Sequence, residues 1–133
     1  MRLLSRALVL GTLLACGAPT ELPQPLDGIW KLDSASAGEP PRTMTLTQRG
    51  TTISGTGSAN GVDVPMPLAI TGTYSPSTRV SPPLVALIFT AENGGGMTAQ
   101  YSATLQGDRI VGSVIYYGIT AVPQPGTLSF VRQ

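Results

Sequence analysis

The sequence predicts an all-β protein, an eight-stranded antiparallel up-and-down barrel that follows a cleaved N-terminal signal peptide. Three observations favour this fold class. Short segments after residue 27 alternate apolar and polar side chains with the period of a half-buried strand. The chain has 16 Gly and 12 Pro, which is typical of many turns, and only 11% charged residues. No window after the N-terminal segment has the period of an amphipathic helix.

The N-terminal segment predicts export of the chain. Arg2 and Arg6 precede the apolar run of residues 7–14, and the small residue Ala15 follows this run. A basic head, an apolar centre and a small residue before the cut define a secretory signal peptide, here residues 1–15. The apolar run is shorter than the roughly 20 residues that a membrane-spanning helix needs, so we expect cleavage and not a transmembrane anchor.

The only cysteine, Cys16, follows the signal peptide directly. The stretch Leu13-Leu14-Ala15-Cys16 resembles the lipobox of bacterial lipoproteins, which implies that the Cys16 sulfur carries lipid and that Cys16 is the mature N-terminus. A chance cysteine inside an ordinary signal peptide is the alternative. The resemblance implies a lipid-anchored protein of the bacterial cell envelope. The same resemblance implies the outer membrane, because in such lipoproteins an Asp after the cysteine favours retention in the inner membrane and this chain has Gly17 there.

The rest of the chain divides into a tether and one domain. Residues 16–26 contain three prolines and predict an extended tether after the lipidated cysteine. Residues 27–133 are the predicted barrel domain, which has the size of a single domain. Because Cys16 is the only cysteine, we expect the domain to fold without a disulfide.

Eight segments of the domain have strand character, separated by Gly- and Pro-rich turns. The clearest alternation is in the sixth, where Ala99, Tyr101 and Ala103 share one face. The fifth segment is apolar on both faces. The predicted strands are residues 28–33, 42–48, 51–58, 67–74, 84–90, 97–106, 109–117 and 126–132.

Glycine spacing and the lengths of the connections favour a barrel over a sandwich. The pattern Ile-x-Gly recurs in the third, fourth and seventh segments, and it places a glycine on the inward face, where a strand can bend. Consecutive hairpins put the tight turns at residues 49–50 and 107–108 at one end, together with the longer connection 75–83. Four longer or more flexible connections lie at the other end. Such a barrel is filled by side chains or holds one small ligand.

The first and last strands carry a further pattern. Gly28-Ile29-Trp30 opens the first strand and Arg132 ends the last, so both lie at the tight-turn end, where Trp30 and Arg132 can meet. This pattern resembles the lipocalin and avidin group of barrels, which implies a lipocalin-like fold in which Arg132 crosses Trp30 and closes that end. A core tryptophan beside an unrelated surface arginine is the alternative. With one Trp in the chain, a biotin site walled by several tryptophans is not expected.

The composition argues against catalysis. The chain has no His, and its only cysteine is the predicted lipidation site, which leaves no Ser-His or Cys-His pair. The seven acidic residues are scattered, so we expect no enzyme activity, no metal and no cofactor. A glycosidase-like pair from Glu39, Asp63 and Glu92 is conceivable, but nothing in the sequence pairs them. Nucleic-acid binding is not expected, because the mature chain is close to neutral.

The remaining candidates for function are inward residues near the end with the long connections. Methionine and tyrosine suit adaptable apolar pockets with a polar handle. We therefore expect a monomeric, membrane-anchored, non-enzymatic binding module for a small apolar ligand. The alternative is that these residues fill the barrel of a structural or interaction lipoprotein that has no small-molecule ligand. The candidate ligand-binding residues are Met44, Leu68, Met97, Tyr101 and Tyr116.

Overall fold

The computed structural model describes residues 25–36, 40–60, 65–92, 98–117 and 123–133. None of these residues belongs to a helix, and none forms a helix that could cross a membrane. Each strand pairs antiparallel with the next, and β1 pairs with β8, so the sheet closes into an up-and-down barrel. The predicted all-β, eight-stranded antiparallel up-and-down barrel is confirmed. The strands are β1 Gly28–Ala35, β2 Pro41–Arg49, β3 Thr52–Asn60, β4 Pro65–Ser75, β5 Leu84–Ala91, β6 Thr98–Gln106, β7 Arg109–Tyr117 and β8 Gln124–Arg132.

Every predicted segment corresponds to one strand. β7 has the predicted bounds, and each of the other strands differs from the prediction by one or two residues at one end or at both ends. β6 begins at Thr98, since the predicted first residue of that segment, Met97, lies outside the described residues. The pairing of β1 with β8 shifts its register between Leu32 and Ser34. Strand bounds were therefore predictable, and this register shift was not.

Side chains alternate between the interior and the outer face of the barrel. In β5, Leu87 and Phe89 are buried while Leu84 and Ile88 are exposed, so this strand is apolar on both faces, as predicted. Burial of the inward row removes apolar surface from water and is the main term that stabilises such a sheet. The largest fully buried side chains are Trp30, Tyr101, Phe130, Leu26, Met44, Leu46, Ile53, Ile70, Leu87, Ile110, Leu128 and Val85.

Three inward glycines, Gly55, Gly72 and Gly112, mark places where neighbouring backbones come very close, most closely at Gly72 and Gly112. A Cβ atom at Gly72 would overlap the carbonyl oxygen of Ala86, and one at Gly112 would overlap the carbonyl oxygen of Ser102. All three glycines follow an inward isoleucine by two residues, as the Ile-x-Gly pattern predicted. Without a side chain the strand can approach its neighbour at these points, which a tightly coiled small barrel requires.

The two ends of the barrel differ in their connections. β2–β3 and β6–β7 are joined by tight turns in which Gly50 and Gly107 have φ values of 61° and 63°. Glycine populates this left-handed region at little cost. We call the end with these turns and the β4–β5 connection the turn end, and the opposite end the loop end. Both ends of the described chain, Pro25 and Gln133, lie at the turn end, beside β1 and β8.

Candidate functional site

The turn end is closed by a stacked pair, Trp30 and Arg132. They are cross-strand neighbours in the pairing of β1 with β8. Trp30 is fully buried, and the guanidinium carbon of Arg132 lies 4.4 Å from the centroid of its ring. A cation over an indole face contributes about 0.5–2 kcal/mol. The meeting of these two residues at the turn end is thus a feature of the structure.

Backbone carbonyls hold the guanidinium of Arg132 in place. It donates hydrogen bonds to the carbonyl oxygens of Pro25 and Asp27, the latter at 2.6 Å, and Nε donates to Asp108 Oδ1 at 3.1 Å. Gly28 has a φ of 126°, which other residues rarely adopt, whereas a Cβ there would make only ordinary van der Waals contact with Arg132 Nη1, at 3.4 Å. The Gly-x-Trp pattern therefore has a local physical reason in this chain.

Leu26 is part of the same closure, although the sequence analysis placed it in the tether. It is fully buried, its amide donates to Gln48 Oε1 at 3.1 Å, and its carbonyl accepts from Trp30 Nε1 at 3.0 Å. Gln48 is also buried, and its Nε2 donates to the Gly50 carbonyl at 2.9 Å. Packing of the barrel therefore extends to residues before β1. The available signal in the sequence was Gln48, which continues the series of inward residues on β2 and so indicates a buried polar group at this end.

Tyr101 occupies the middle of the interior and has its hydroxyl satisfied. Its ring stacks on Phe89 at 6.0 Å and meets Phe130 edge-on at 5.7 Å between centroids. Its hydroxyl lies 3.0 Å from the Leu128 carbonyl and 3.3 Å from the Ile110 carbonyl. One proton serves one of these acceptors at a time. Of the candidate residues, Tyr101 is the one that packs in an aromatic cluster, with partners on β5, β7 and β8.

Three other candidates lie in the loop-end half of the interior. Met44, Leu68 and Tyr116 are all buried. The pairing of β2, β3 and β4 places Gly57 between Met44 and Leu68. Tyr116 lies on the other side of the barrel, paired with Ala99. The fifth candidate, Met97, lies outside the described residues. The structure thus places Met44 and Leu68 on one side of the barrel and Tyr116 on the other side.

The hydroxyl of Tyr116 is buried and has no hydrogen-bond partner among the described residues. Burial raises the pKa of Tyr116 to about 12, and it also raises the pKa of Tyr101. Both side chains are therefore neutral near pH 7, with one proton to donate. A buried hydroxyl without a partner costs about 1–3 kcal/mol, which makes Tyr116 the one candidate with an unmet interaction.

No charged side chain among the described residues is buried within the barrel wall. Apart from the two tyrosines, the buried polar side chains among the described residues are Gln48, at the turn end, and Ser129, whose hydroxyl contacts Arg109 and Asp33 on the outer face. Among the described residues, no buried charged side chain therefore lies near the Tyr116 hydroxyl. An ion placed there would be desolvated without a partner, so this part of the interior suits an uncharged molecule.

A groove of about 490 Å³ lies on the outer face of β4–β7. It combines hydroxyl side chains such as Thr73, Ser102 and Ser113 with apolar ones such as Leu84. The strands β3, β4, β5 and β6 contain no Asp, Glu, Lys or Arg. The outer wall over these four strands is therefore uncharged. The low charged fraction of the sequence did not by itself show where on the barrel such a surface lies.

The described acidic residues are dispersed. Asp33 pairs with Arg109, and Asp108 pairs with Arg132. No group of three His, Cys, Asp or Glu that could hold a metal occurs in the described part of the chain. Of the three acids considered for a carboxylate pair, Glu39 and Asp63 lie outside the described residues.

Neither a family model nor a curated protein matches the chain. The resemblances to the lipobox and to the lipocalin and avidin barrels therefore depend on the quoted residues alone. The contact of Trp30 with Arg132 and the burial of the Tyr116 hydroxyl, by contrast, are features of this chain's own fold.

Proposed function

We propose that this protein is a lipid-anchored binding module of the bacterial cell envelope that takes a small apolar ligand into the loop-end half of its barrel. The single observation that carries the proposal is the buried hydroxyl of Tyr116, which has no hydrogen-bond partner among the described residues. Few buried polar groups in native proteins lack a partner, so each calls for an explanation. A ligand that completes this hydrogen bond is the explanation we favour.

The contrast between the two halves of the interior supports this location. Trp30, Arg132 and Leu26 close the turn-end half. Tyr101 and its aromatic neighbours pack in the interior above them. In the loop-end half, small inward residues such as Ala99 line the wall. Side chains this small fill less of the interior than the aromatic cluster around Tyr101 does.

The direction of the chain supports a role at a membrane surface. The described chain begins at Pro25 on the turn end, where Arg132 binds its carbonyl. A tether that joins a lipid on Cys16 to this point directs the loop end away from the membrane. Ligand then reaches the site from the aqueous side, which is consistent with a receptor for small molecules of the envelope.

The proposal is tested with the full chain in detergent micelles and the small apolar probes 2-hexanone and hexane, whose uptake headspace gas chromatography measures. We expect a saturable signal above that of protein-free micelles. Ala99→Phe fills the wall beside Tyr116 and should abolish the signal, while Ala86→Phe, on the outer face of β5, should not. Circular dichroism confirms that each variant is folded. Undiminished binding by folded Ala99→Phe contradicts the proposed site, and no saturable signal contradicts the proposed function.

A second candidate function is an interaction lipoprotein with a filled barrel and no small ligand. The uncharged outer wall and its groove of about 490 Å³ favour it. This candidate predicts that a photocrosslinking residue at Ser102, in the groove, captures one defined partner in the living host. The same residue at Thr45, an exposed position on β2, serves as the control. Equal or absent crosslinking at the two positions contradicts this function.

A further inference from the structure

The buried hydroxyl of Tyr116 also restricts the chemistry of the ligand. A tyrosine hydroxyl donates one proton and accepts in return. Burial keeps Tyr116 protonated, with its pKa at about 12, so its proton is available at neutral pH. What this group lacks is therefore an acceptor, since it is buried with no partner among the described residues.

The acceptor must be uncharged. A carboxylate or phosphate bound beside Tyr116 would have no cation to pair with, since no charged side chain among the described residues is buried. Removal of such an anion from water without a partner is far more costly than one hydrogen bond can offset. A carbonyl, ester, ether or alcohol oxygen avoids this cost.

The aromatic cluster of Phe89, Tyr101 and Phe130 limits how deeply a ligand enters the barrel. Tyr101 pairs with Val114, which lies two residues before Tyr116 on β7. A strand advances about 3.4 Å per residue, so Tyr116 lies roughly 7 Å along the strand from the level of Tyr101. β7 ends one residue later, at Tyr117. A buried ligand, or the buried part of a longer one, is therefore short.

We infer that the ligand presents a short apolar body with one neutral acceptor oxygen, such as a ketone or ester, and that this oxygen accepts the hydrogen bond of Tyr116. The inference rests on the proposed function and names the chemical class of its ligand. It also makes Tyr116 a specificity-determining residue, because an alkane of the same shape leaves the hydroxyl unpaired. Recognition then depends on one oxygen atom and not on a set of charges.

The experiment compares 2-hexanone with hexane, which share a six-carbon chain and differ in one carbonyl oxygen. Headspace gas chromatography measures the uptake of each probe by the full chain in detergent micelles, relative to protein-free micelles. The variants are Tyr116→Phe, which removes the unpartnered hydroxyl, and Tyr101→Phe, which removes a hydroxyl that already has carbonyl partners. Thermal unfolding of each ligand-free variant is recorded in parallel.

We expect Tyr116→Phe to bind 2-hexanone about 3- to 10-fold more weakly and hexane unchanged. We also expect it to raise Tm by about 4 °C, because an unpaired polar group leaves the interior. Tyr101→Phe should lower Tm and leave the ratio of the two affinities as it is. An unchanged ratio in Tyr116→Phe, or a fall in its Tm, overturns the inferred ligand class. If neither probe binds the unmodified chain, the proposed function itself fails.

Discussion

The guanidinium of Arg132 lies over the indole of Trp30, with 4.4 Å between the guanidinium carbon and the ring centroid. The two residues belong to the first and last strands, so their contact joins the strands that close the barrel. Arg132 also binds the carbonyls of Pro25 and Asp27, which fixes the chain before β1 beneath the ring. One side chain thus links the two ends of the described residues at the turn end.

Arg132→Lys should destabilise the protein by about 1–3 kcal/mol in urea unfolding. An ammonium retains the charge but lacks the planar fork that reaches two carbonyls and stacks on the ring. Arg109→Lys is the matched control, because the pair of Arg109 with Asp33 is about half exposed and such pairs contribute about 0–1 kcal/mol. Equal losses in the two variants would show that the fork of Arg132 has no special role.

Trp30→Ala should destabilise by about 3–5 kcal/mol, since the ring is fully buried and its loss leaves a large cavity. Urea unfolding followed by circular dichroism measures this change, because the only tryptophan is removed. A loss below about 1 kcal/mol would mean that the ring contributes no more than a surface residue does.

Stability should fall as the pH rises above about 10. Burial raises the pKa of Tyr116 to about 12 in the folded chain, and the pKa of Tyr101 is raised in the same direction. An unfolded tyrosine ionises near pH 10, so above that value the unfolded state binds fewer protons and is favoured. Each tyrosine contributes up to about 1.4 kcal/mol per pH unit within this window.

Urea unfolding between pH 8 and pH 12 measures this loss, with tyrosinate absorbance as a second signal. Tyr116→Phe should reduce the slope between pH 10 and pH 12, because one titrating group is gone. An identical slope in this variant would contradict the buried state of the Tyr116 hydroxyl.

Gly112→Ala should destabilise the barrel by more than about 2 kcal/mol. The new Cβ would overlap the carbonyl oxygen of Ser102, and because this atom is backbone the two strands must separate. Ser113→Ala, on the exposed face of the same strand, is expected to change stability by less than about 0.5 kcal/mol. Thermal unfolding of the two variants compares them directly, and equal Tm values would contradict the close approach.

Cys16→Ser should move the protein from the membrane fraction to the soluble fraction of its host. Serine has no sulfur to receive a lipid, and acyl chains are what hold such a chain on a membrane. Fractionation followed by immunoblotting measures the distribution, and mass spectrometry of the chain that retains Cys16 reports the lipid. Identical partitioning of the two proteins would exclude the anchor.

The strand bounds and the side of each strand that is buried could be predicted because they depend on neighbours in sequence. The alternation in β4 and β6 fixes which residues face inward, whatever the strands pair with. The Ile-x-Gly pattern similarly predicted the inward glycines Gly72 and Gly112. The position of Leu26 under the barrel was missed, because a single apolar residue beside a proline has no period to interpret.

The sequence by itself determined eight strands, their inward faces, two tight turns and the expected meeting of Trp30 with Arg132, because each follows from local spacing and chain direction. Only the tertiary structure decided which buried polar atoms are satisfied. Tyr101 and Tyr116 have the same alternating pattern in sequence, yet the Tyr101 hydroxyl lies 3.0 Å from the Leu128 carbonyl and that of Tyr116 has no described partner. A hydrogen bond depends on ångström-scale distances between strands that are far apart in the chain, and no local pattern encodes those distances.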